Sequence, residues 1–237
     1  MGQLKEGMLS MASDYARSTG SPEPYLRRIA EAGFTHVHWC HHWDTDFLYS
    51  THEIEQVGRW LHEFGLELTD LHGSAGQEKA WMATEDYRRR AGVELVENRI
   101  FMAAQLGTDV VIMHVPLLAG PGASLMQWDQ ARRTLDELEP CARRCSVRIA
   151  IENGSYDDIE RLLALYPPDY IGLCYDSGHG NMDSRGLSRL EAGLKGRLIS
   201  VHLHDNDGRS DQHNIPMRGT VDWPRLARLI AESPYQK

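Results

Sequence analysis

Hydrophobic positions along the chain cluster into seven short apolar runs, and each is followed by a longer amphipathic stretch. The runs cover residues 7–14, 36–40, 66–73, 109–116, 147–154, 171–179 and 198–207. Apolar runs of this length are typical of buried strands, whereas apolar positions repeating every three to four residues indicate helices. Strands that alternate with helices predict an α/β protein with a parallel sheet.

The amphipathic stretches between these runs carry helix-end signals. Pro24 begins one helix and Gly33 ends it. A second helix is predicted between Thr51 as its N-cap and Gly65 as its C-cap. A third follows Ser155, which has an acidic residue three positions later, as in a capping box. These signals support the alternation of strand and helix along the chain.

The even spacing of the strand–helix units predicts the fold class. Units of about thirty residues favour a (β/α)₈ TIM barrel over an open doubly wound sheet, and no GxGxxG follows an early strand. No linker interrupts the pattern, so residues 1–237 are predicted to form one domain. The seventh helix is still in progress at Lys237. Because an open sheet edge invites aggregation, we expect the eighth strand to lie beyond that residue.

The charge and composition of the chain argue against nucleic-acid and membrane partners. The chain has 237 residues and a formal net charge of −9, which opposes broad binding to nucleic acid or to anionic membranes. No apolar run approaches the ~18 residues of a membrane span. The four cysteines form no CxxC pair, so we expect them to be reduced in a cytoplasmic protein.

Polar residues at the ends of the predicted strands are the candidate functional residues. Side chains alternate along a strand, and this alternation turns Glu152, Asp176 and His202 toward the barrel interior. Asp70, His72 and His114 face inward by the same argument, and so does His204, which we expect only to pack. The C-terminal ends of strands are where TIM-barrel enzymes build their sites.

The nature of these side chains indicates a metal site. A carboxylate at the end of an apolar strand is costly to bury without a cation or hydrogen-bond donors. Carboxylates and imidazoles without thiolates suit Mn²⁺, Zn²⁺, Fe²⁺ or Co²⁺, whereas Ca²⁺ prefers more oxygen ligands. We therefore expect a divalent metal ion of the first group.

Five short motifs occur in a characteristic order. They are HG at 72–73, MHVP at 113–116, IENG at 151–154, DSGH at 176–179 and the segment from VHLHDN through DQH to GTVDW at 201–223. In this order, across residues 8–230, they resemble the xylose-isomerase-like barrel superfamily. That group includes sugar isomerases and epimerases, inosose-processing enzymes and endonuclease-IV-type nucleases that act on abasic DNA.

The resemblance implies roles for individual residues. Glu152, Asp176 and His202 match three metal ligands of the epimerase-like members, whose fourth ligand is a Glu on strand eight. His179 matches the position that binds substrate in epimerases or an additional zinc in the nucleases. Further matches to nuclease metal ligands are His72, His114, Asp211 and His213. From its chemistry, Trp39 or Trp43 would provide an apolar wall of the substrate pocket.

The favoured function is a metal-dependent isomerase or epimerase that acts on a sugar or polyol through an enediolate. In this reading Glu152 is both a ligand and an acid–base group. A nuclease of abasic DNA is the first alternative, which the net charge and the short loops oppose. An inosose-dehydratase-like lyase and a non-catalytic sugar-binding barrel are the others. Because such barrels often pair, a homodimer is expected, with a small-molecule substrate.

Overall fold

A computed structural model describes residues 10–115, 125–152, 156–183 and 185–237. The start of the first predicted run, the end of the MHVP and IENG motifs, and Ser155 lie outside the described residues. The described chain separates into two compact units. The first comprises residues 10–111, 125–147 and 237, and the second comprises residues 112–115 and 148–236.

All seven predicted strands are present. They are β1 (Ser10–Ala12), β2 (His36–Trp39), β3 (Glu67–His72), β4 (Val110–His114), β5 (Arg148–Glu152), β6 (Ile171–Asp176) and β7 (Leu198–His202). Strand β4 begins in the first unit and ends in the second. The pairs β1–β2, β2–β3, β5–β6 and β6–β7 are parallel, which confirms the predicted α/β class with a parallel sheet.

Eight α-helices are assigned to the described residues. They are α1 (Glu23–Glu31), α2 (Thr51–Phe64), α3 (Asp86–Gln105), α4 (Leu125–Cys145), α5 (Tyr156–Leu165), α6 (Ser177–Met182), α7 (Gly186–Ala192) and α8 (Trp223–Ala231). A 3₁₀ turn at Leu194–Arg197 leads into β7. Among the helices of the described chain, none has both the length and the apolar character needed to cross a membrane.

In the first unit the strands lie in the order β1, β2, β3 and β4. Helix α2 shows why the sequence folds locally as it does, because its buried residues Ile54, Val57 and Leu61 recur at helical spacing. Gly65 ends the helix in the left-handed conformation, as predicted. The predicted N-cap is wrong by one position: Ser50, with Glu53, forms the capping box, and Thr51 is the first helical residue.

In the second unit the strands lie in the order β4, β5, β6 and β7. Ile149 pairs with Ile171, and Asp176 pairs with His202 at the ends of β6 and β7. Every residue of β6 is buried, which is typical of parallel strands covered on both faces. The two short helices α6 and α7 after β6 were not separated by the sequence pattern. Together these elements bring the C-terminal ends of four strands to one sheet edge.

All four cysteines are free in this structure, and their reduced state stays a prediction. Cys40, Cys141 and Cys174 are buried. The eighth strand and the single domain stay predictions.

Candidate metal centre

Four successive strands of the second unit each end on a residue that can bind a metal. The last residues of β4, β5, β6 and β7 are His114, Glu152, Asp176 and His202. Since neighbouring parallel strands end at the same sheet edge, these side chains are brought close together although they are far apart in sequence. The alternation argument therefore placed all four on the correct face.

Glu152 lies at the middle of this group and is 1% exposed. Its Oε1 is 2.7 Å from Nδ1 of His202, and its Oε2 is 2.7 Å from Nε2 of His114. Burial alone raises the pKa of the carboxyl, but the two imidazoles lower it further than burial raises it, to well below its usual range. Glu152 is therefore ionised at neutral pH, which is the state required of a metal ligand.

Asp176 occupies the next strand end and forms the N-cap of α6. Its Oδ1 accepts a hydrogen bond of 2.8 Å from the backbone N–H of His179, and Nδ1 of His179 lies 3.3 Å from the same oxygen. On the other side, Oδ2 is 3.8 Å from Nδ1 of His202. His202 thus lies near both Glu152 and Asp176, and a ligand atom of Glu152 lies within 4.8 Å of one of Asp176.

The expectation that His204 only packs is wrong, because its imidazole contacts the carboxylate of Asp176. It lies beyond the end of β7, and its Nε2 is 3.0 Å and 3.1 Å from the two carboxylate oxygens of Asp176. Burial lowers the pKa of His204, but its hydrogen bond and charge interaction with Asp176 outweigh this, so the net shift is upward. The contact with Asp176 therefore favours the protonated form of His204.

Asp211 and His213, the DQH pair of the sequence, also reach this part of the second unit. Oδ2 of Asp211 is 3.0 Å from Nε2 of His213 and 3.4 Å from Nε2 of His179. The ring of His213 stacks on that of His204, with centroids 4.0 Å apart. The loop after β7 thus adds a carboxylate and an imidazole beside the strand-end cluster.

Asp205 fixes the shape of that loop, a role that the sequence analysis missed. It is fully buried and accepts hydrogen bonds from the backbone of Asn206 and Val221 and from the indole of Trp223. Its own backbone exchanges two hydrogen bonds of 2.8 Å with Asn214. The donors, above all the Trp223 indole, outweigh burial and lower the pKa of Asp205 to about 2. The aspartate that follows HLH is therefore structural.

Two groups of side chains at the strand ends could hold a divalent cation. Ligand atoms of Glu152, Asp176 and His179 lie within 4.8 Å of one another, and so do those of Glu152, Cys174 and His202. Two buried carboxylates among imidazoles are a combination that Zn²⁺, Mn²⁺, Co²⁺ or Fe²⁺ accepts, so the residues fit the ion. Cys174, which was not selected from the sequence, lies two residues before Asp176 on β6 and therefore on the same face of the strand.

The remaining candidates lie in the first unit. The imidazole of His72 at the end of β3 is stacked on Trp43, with centroids 5.1 Å apart. Asp70 lies 2.5 Å from Nδ1 of His38, a residue that the sequence analysis did not select. Trp39 is 0% exposed, so it is a core residue in this structure and the half-buried Trp43 is retained as the candidate for an apolar pocket wall.

Parallel strands that alternate with helices, with a carboxylate–imidazole cluster at the strand ends, define an α/β protein with a candidate metal centre of the TIM-barrel kind. The chain belongs to the xylose isomerase-like TIM barrel family, whose model matches residues 26–237. This confirms the family that the five motifs indicated.

Two curated relatives show the range of similarity. An uncharacterised protein of Sinorhizobium fredii, y4fM, is 33% identical, and the match covers 89% of this chain and 77% of the relative. Fructoselysine 3-epimerase of Shigella flexneri is 22% identical, with 65% of this chain covered. The match spans 59% of that epimerase, which is less than two thirds of its length.

Solved structures share the fold. A D-tagatose 3-epimerase-like protein superposes with a TM-score of 0.77 at 21% identity, covering 95% of this chain and 86% of that one. The IOLI protein with a bound zinc atom superposes with a TM-score of 0.72 at 13% identity, covering 97% and 86%. The predicted TIM-barrel fold class is confirmed by these likenesses.

Proposed function

We propose that the chain is a divalent-cation-dependent isomerase or epimerase of a sugar or polyol. The observation that carries the proposal is the buried carboxylate of Glu152, held between His114 and His202 at the strand ends. Support comes from relatives and structural neighbours that are named as epimerases acting on sugars. A zinc atom is named for one neighbour of the same fold.

Glu152, Asp176 and His202 are the residues that we propose to hold the cation. When bound, such an ion polarises adjacent carbonyl and hydroxyl oxygens and stabilises the negative charge that develops when a carbon-bound proton is removed. Asp176 and Glu152 would supply negative charge to the site, and the imidazole of His202 would complete the set with a neutral ligand.

Glu152 is also the proposed acid–base group. Its carboxylate is ionised, which is required of a group that accepts a proton from carbon. The same contacts with His114 and His202 that keep its pKa low also make it a weak base. We therefore propose that the carboxylate exchanges these imidazole contacts for the cation and the substrate before it accepts a proton.

His179 is proposed to orient the substrate. Its Nδ1 faces Asp176, its Nε2 faces Asp211, and its side chain is about one-third exposed, so a substrate hydroxyl can reach the ring. The more exposed His213 also contacts Asp211, through its Nε2. Two imidazoles around one carboxylate are suited to hydrogen bonding with neighbouring hydroxyls of a polyol.

Proton NMR in D₂O tests the proposal. The metal-loaded chain is incubated with D-tagatose, D-psicose, D-fructose and fructoselysine, and deuterium is followed at the carbon next to the carbonyl. Exchange or epimerisation by the unaltered chain, lost in Glu152→Gln and retained in the exposed-site control Glu78→Gln, is the expected result. A Glu152→Gln variant with near-normal exchange would refute the proposed role, and dehydration products instead of epimers would point to the lyase.

A nuclease is kept as a second candidate because of one observation. His179, Asp211 and His213 form a group beside the strand-end cluster, and these are the residues matched to additional metal ligands of the abasic-site nucleases. Metal analysis separates the two functions: about one ion per chain favours the isomerase, and two or three favour the nuclease. Incision of an abasic duplex at physiological salt would decide for the nuclease.

A further inference from the structure

The imidazole of His204 contacts both carboxylate oxygens of Asp176. Nε2 of His204 lies at nearly equal distances, 3.0 and 3.1 Å, from both oxygens of the carboxylate. Asp176 Oδ1 already accepts the backbone N–H of His179, while Oδ2 lies on the side of His202. The imidazole therefore restricts rotation of the carboxylate about its last bond.

The backbone of His204 is held separately from its ring. The hydroxyl of Ser177 donates a hydrogen bond of 2.6 Å to the carbonyl of His204 and accepts one of 2.8 Å from its N–H. Ser177 is buried and directly follows Asp176. Ser177 thus bonds both the N–H and the C=O of His204 and joins the start of α6 to the segment after β7.

Gly178 leaves the space that the ring needs. A Cβ atom at this position would lie 2.0 Å from Cε1 of His204 and 2.6 Å from its Nδ1. Any side chain larger than hydrogen would therefore push the imidazole away from Asp176. Three consecutive residues of the DSGH motif therefore position His204. Asp176 contacts its ring, Ser177 hydrogen-bonds its backbone, and Gly178 has no side chain that would clash with the ring.

We infer that His204 is a positioning residue that orients the Asp176 carboxylate for cation binding. This inference rests on the proposed cation site. Partners of a ligating group in the surrounding shell fix its orientation, and their removal typically weakens metal affinity by roughly 10–100-fold. His204 would act in this way from the loop side, whereas the other contacts of Asp176 come from α6 and β7.

A matched pair of variants isolates the hydrogen bond. In His204→Gln the amide nitrogen can reach the position of Nε2, whereas in His204→Asn the same amide is one methylene too short. Co²⁺ affinity by titration calorimetry is expected to fall by roughly 10–100-fold in His204→Asn and to recover most of that loss in His204→Gln. The Co²⁺ absorption spectrum should change in His204→Asn, while the melting temperature of the metal-free chain stays near that of the wild type.

A double-mutant cycle with Gly178 provides an independent test. Gly178→Ala should lower Co²⁺ affinity as His204→Asn does, because the methyl group displaces the ring. In a His204→Ala background the same methyl has space, so adding Gly178→Ala should cause little further loss. His52→Ala, which removes an exposed imidazole elsewhere, is the control for adventitious binding and should leave the affinity unchanged.

The outcomes separate this inference from the proposed function. Equal Co²⁺ affinity in the wild type, His204→Asn and His204→Gln would overturn the inference and leave the cation site intact. Additive losses in the cycle would likewise show that Gly178 and His204 act independently. Failure of the unaltered chain to bind Co²⁺ would overturn both proposals.

Discussion

Nδ1 of His202 lies 2.7 Å from Oε1 of Glu152, although the two residues are fifty positions apart and end strands β7 and β5. The Asp176 strand lies between them in the sheet order. A contact across the intervening strand shows that these side chains lean toward a common centre. A cation at this centre would replace contacts that the side chains now make with one another.

Removal of the Glu152 charge should abolish tight cation binding. In Glu152→Gln we expect Co²⁺ or Mn²⁺ affinity to fall by about 100-fold or more, beyond the loss typical of a surrounding-shell partner. Titration calorimetry on chelator-treated protein measures this loss. Glu78→Gln, at a largely exposed side chain, is the control, and unchanged affinity in Glu152→Gln would remove Glu152 from the set of ligands.

Asp205 should make the stability of the protein sensitive to acid. Its folded-state pKa is about 2, below the usual 3.8, so its ionised form stabilises the folded chain at and above pH 4. That contribution, roughly 2 kcal/mol, is lost as the pH falls from about 4 toward 2. Urea unfolding should show Asp205→Asn less stable than wild type at pH 7, with the difference shrinking toward pH 2.

The matched control for this pH effect is Asp44→Asn, at an exposed position. It should follow the wild-type curve throughout. A difference between wild type and Asp205→Asn that stays constant from pH 7 to pH 2 would contradict the assigned role of the carboxylate.

Arg99 should not tolerate replacement by lysine. The guanidinium is 0% exposed, and it donates hydrogen bonds to the carbonyl of Phe47 and to the side chain of Asn98 and lies over the ring of Tyr49. Burial lowers its pKa to about 10. Because the ammonium of lysine lacks the planar fork, Arg99→Lys should lower the free energy of unfolding by about 2–4 kcal/mol.

Denaturant unfolding measures that loss, and amide exchange locates it. Exchange should accelerate mainly in residues 41–49, which Arg99 contacts. Replacement of the exposed Arg90 by lysine is the control, and an Arg99→Lys variant as stable as the control would contradict the role of the fork.

The capping box of α2 should contribute about 1 kcal/mol. The hydroxyl of Ser50 accepts the N–H of Glu53, and the Glu53 carboxylate accepts the N–H of Ser50. Ser50→Ala should therefore lower the free energy of unfolding by about 1 kcal/mol. In a cycle with Glu53→Ala the two losses should be less than additive, since each change removes part of the same motif. Full additivity would show that the two bonds act independently.

The sequence predicted strand positions and the facing of strand residues well, for a physical reason. A strand of period two leaves two choices of face, and apolar neighbours of Glu152 and Asp176 determine which is taken. The inward-facing residues at the strand ends could therefore be identified from sequence alone. The TIM-barrel family followed from the order of the motifs.

Other features depended on contacts between distant segments that no local pattern encodes. His204 was expected only to pack because its partner, Asp176, belongs to another strand. The structural role of Asp205 was missed because its hydrogen-bond donors come from residues 206–223. Trp39 was expected at a pocket wall but is fully buried. An alternating pattern predicts which face a residue takes, but it does not predict how deeply that residue is buried. The cytoplasmic location, the homodimer and the metal identity stay predictions.

A candidate metal ligand is the last residue of each strand from β4 to β7. If the proposed site binds a cation, that binding would therefore report on the hydrogen-bond register of these strands. A slip by one residue in any of these strands would carry its terminal donor to the opposite face while preserving most backbone pairing. Such a misregistered chain would still show native-like circular dichroism, yet it would lack the Co²⁺ absorption expected of the proposed site. Co²⁺ absorption would thus distinguish molecules with the native strand register from misregistered molecules that have the same secondary structure.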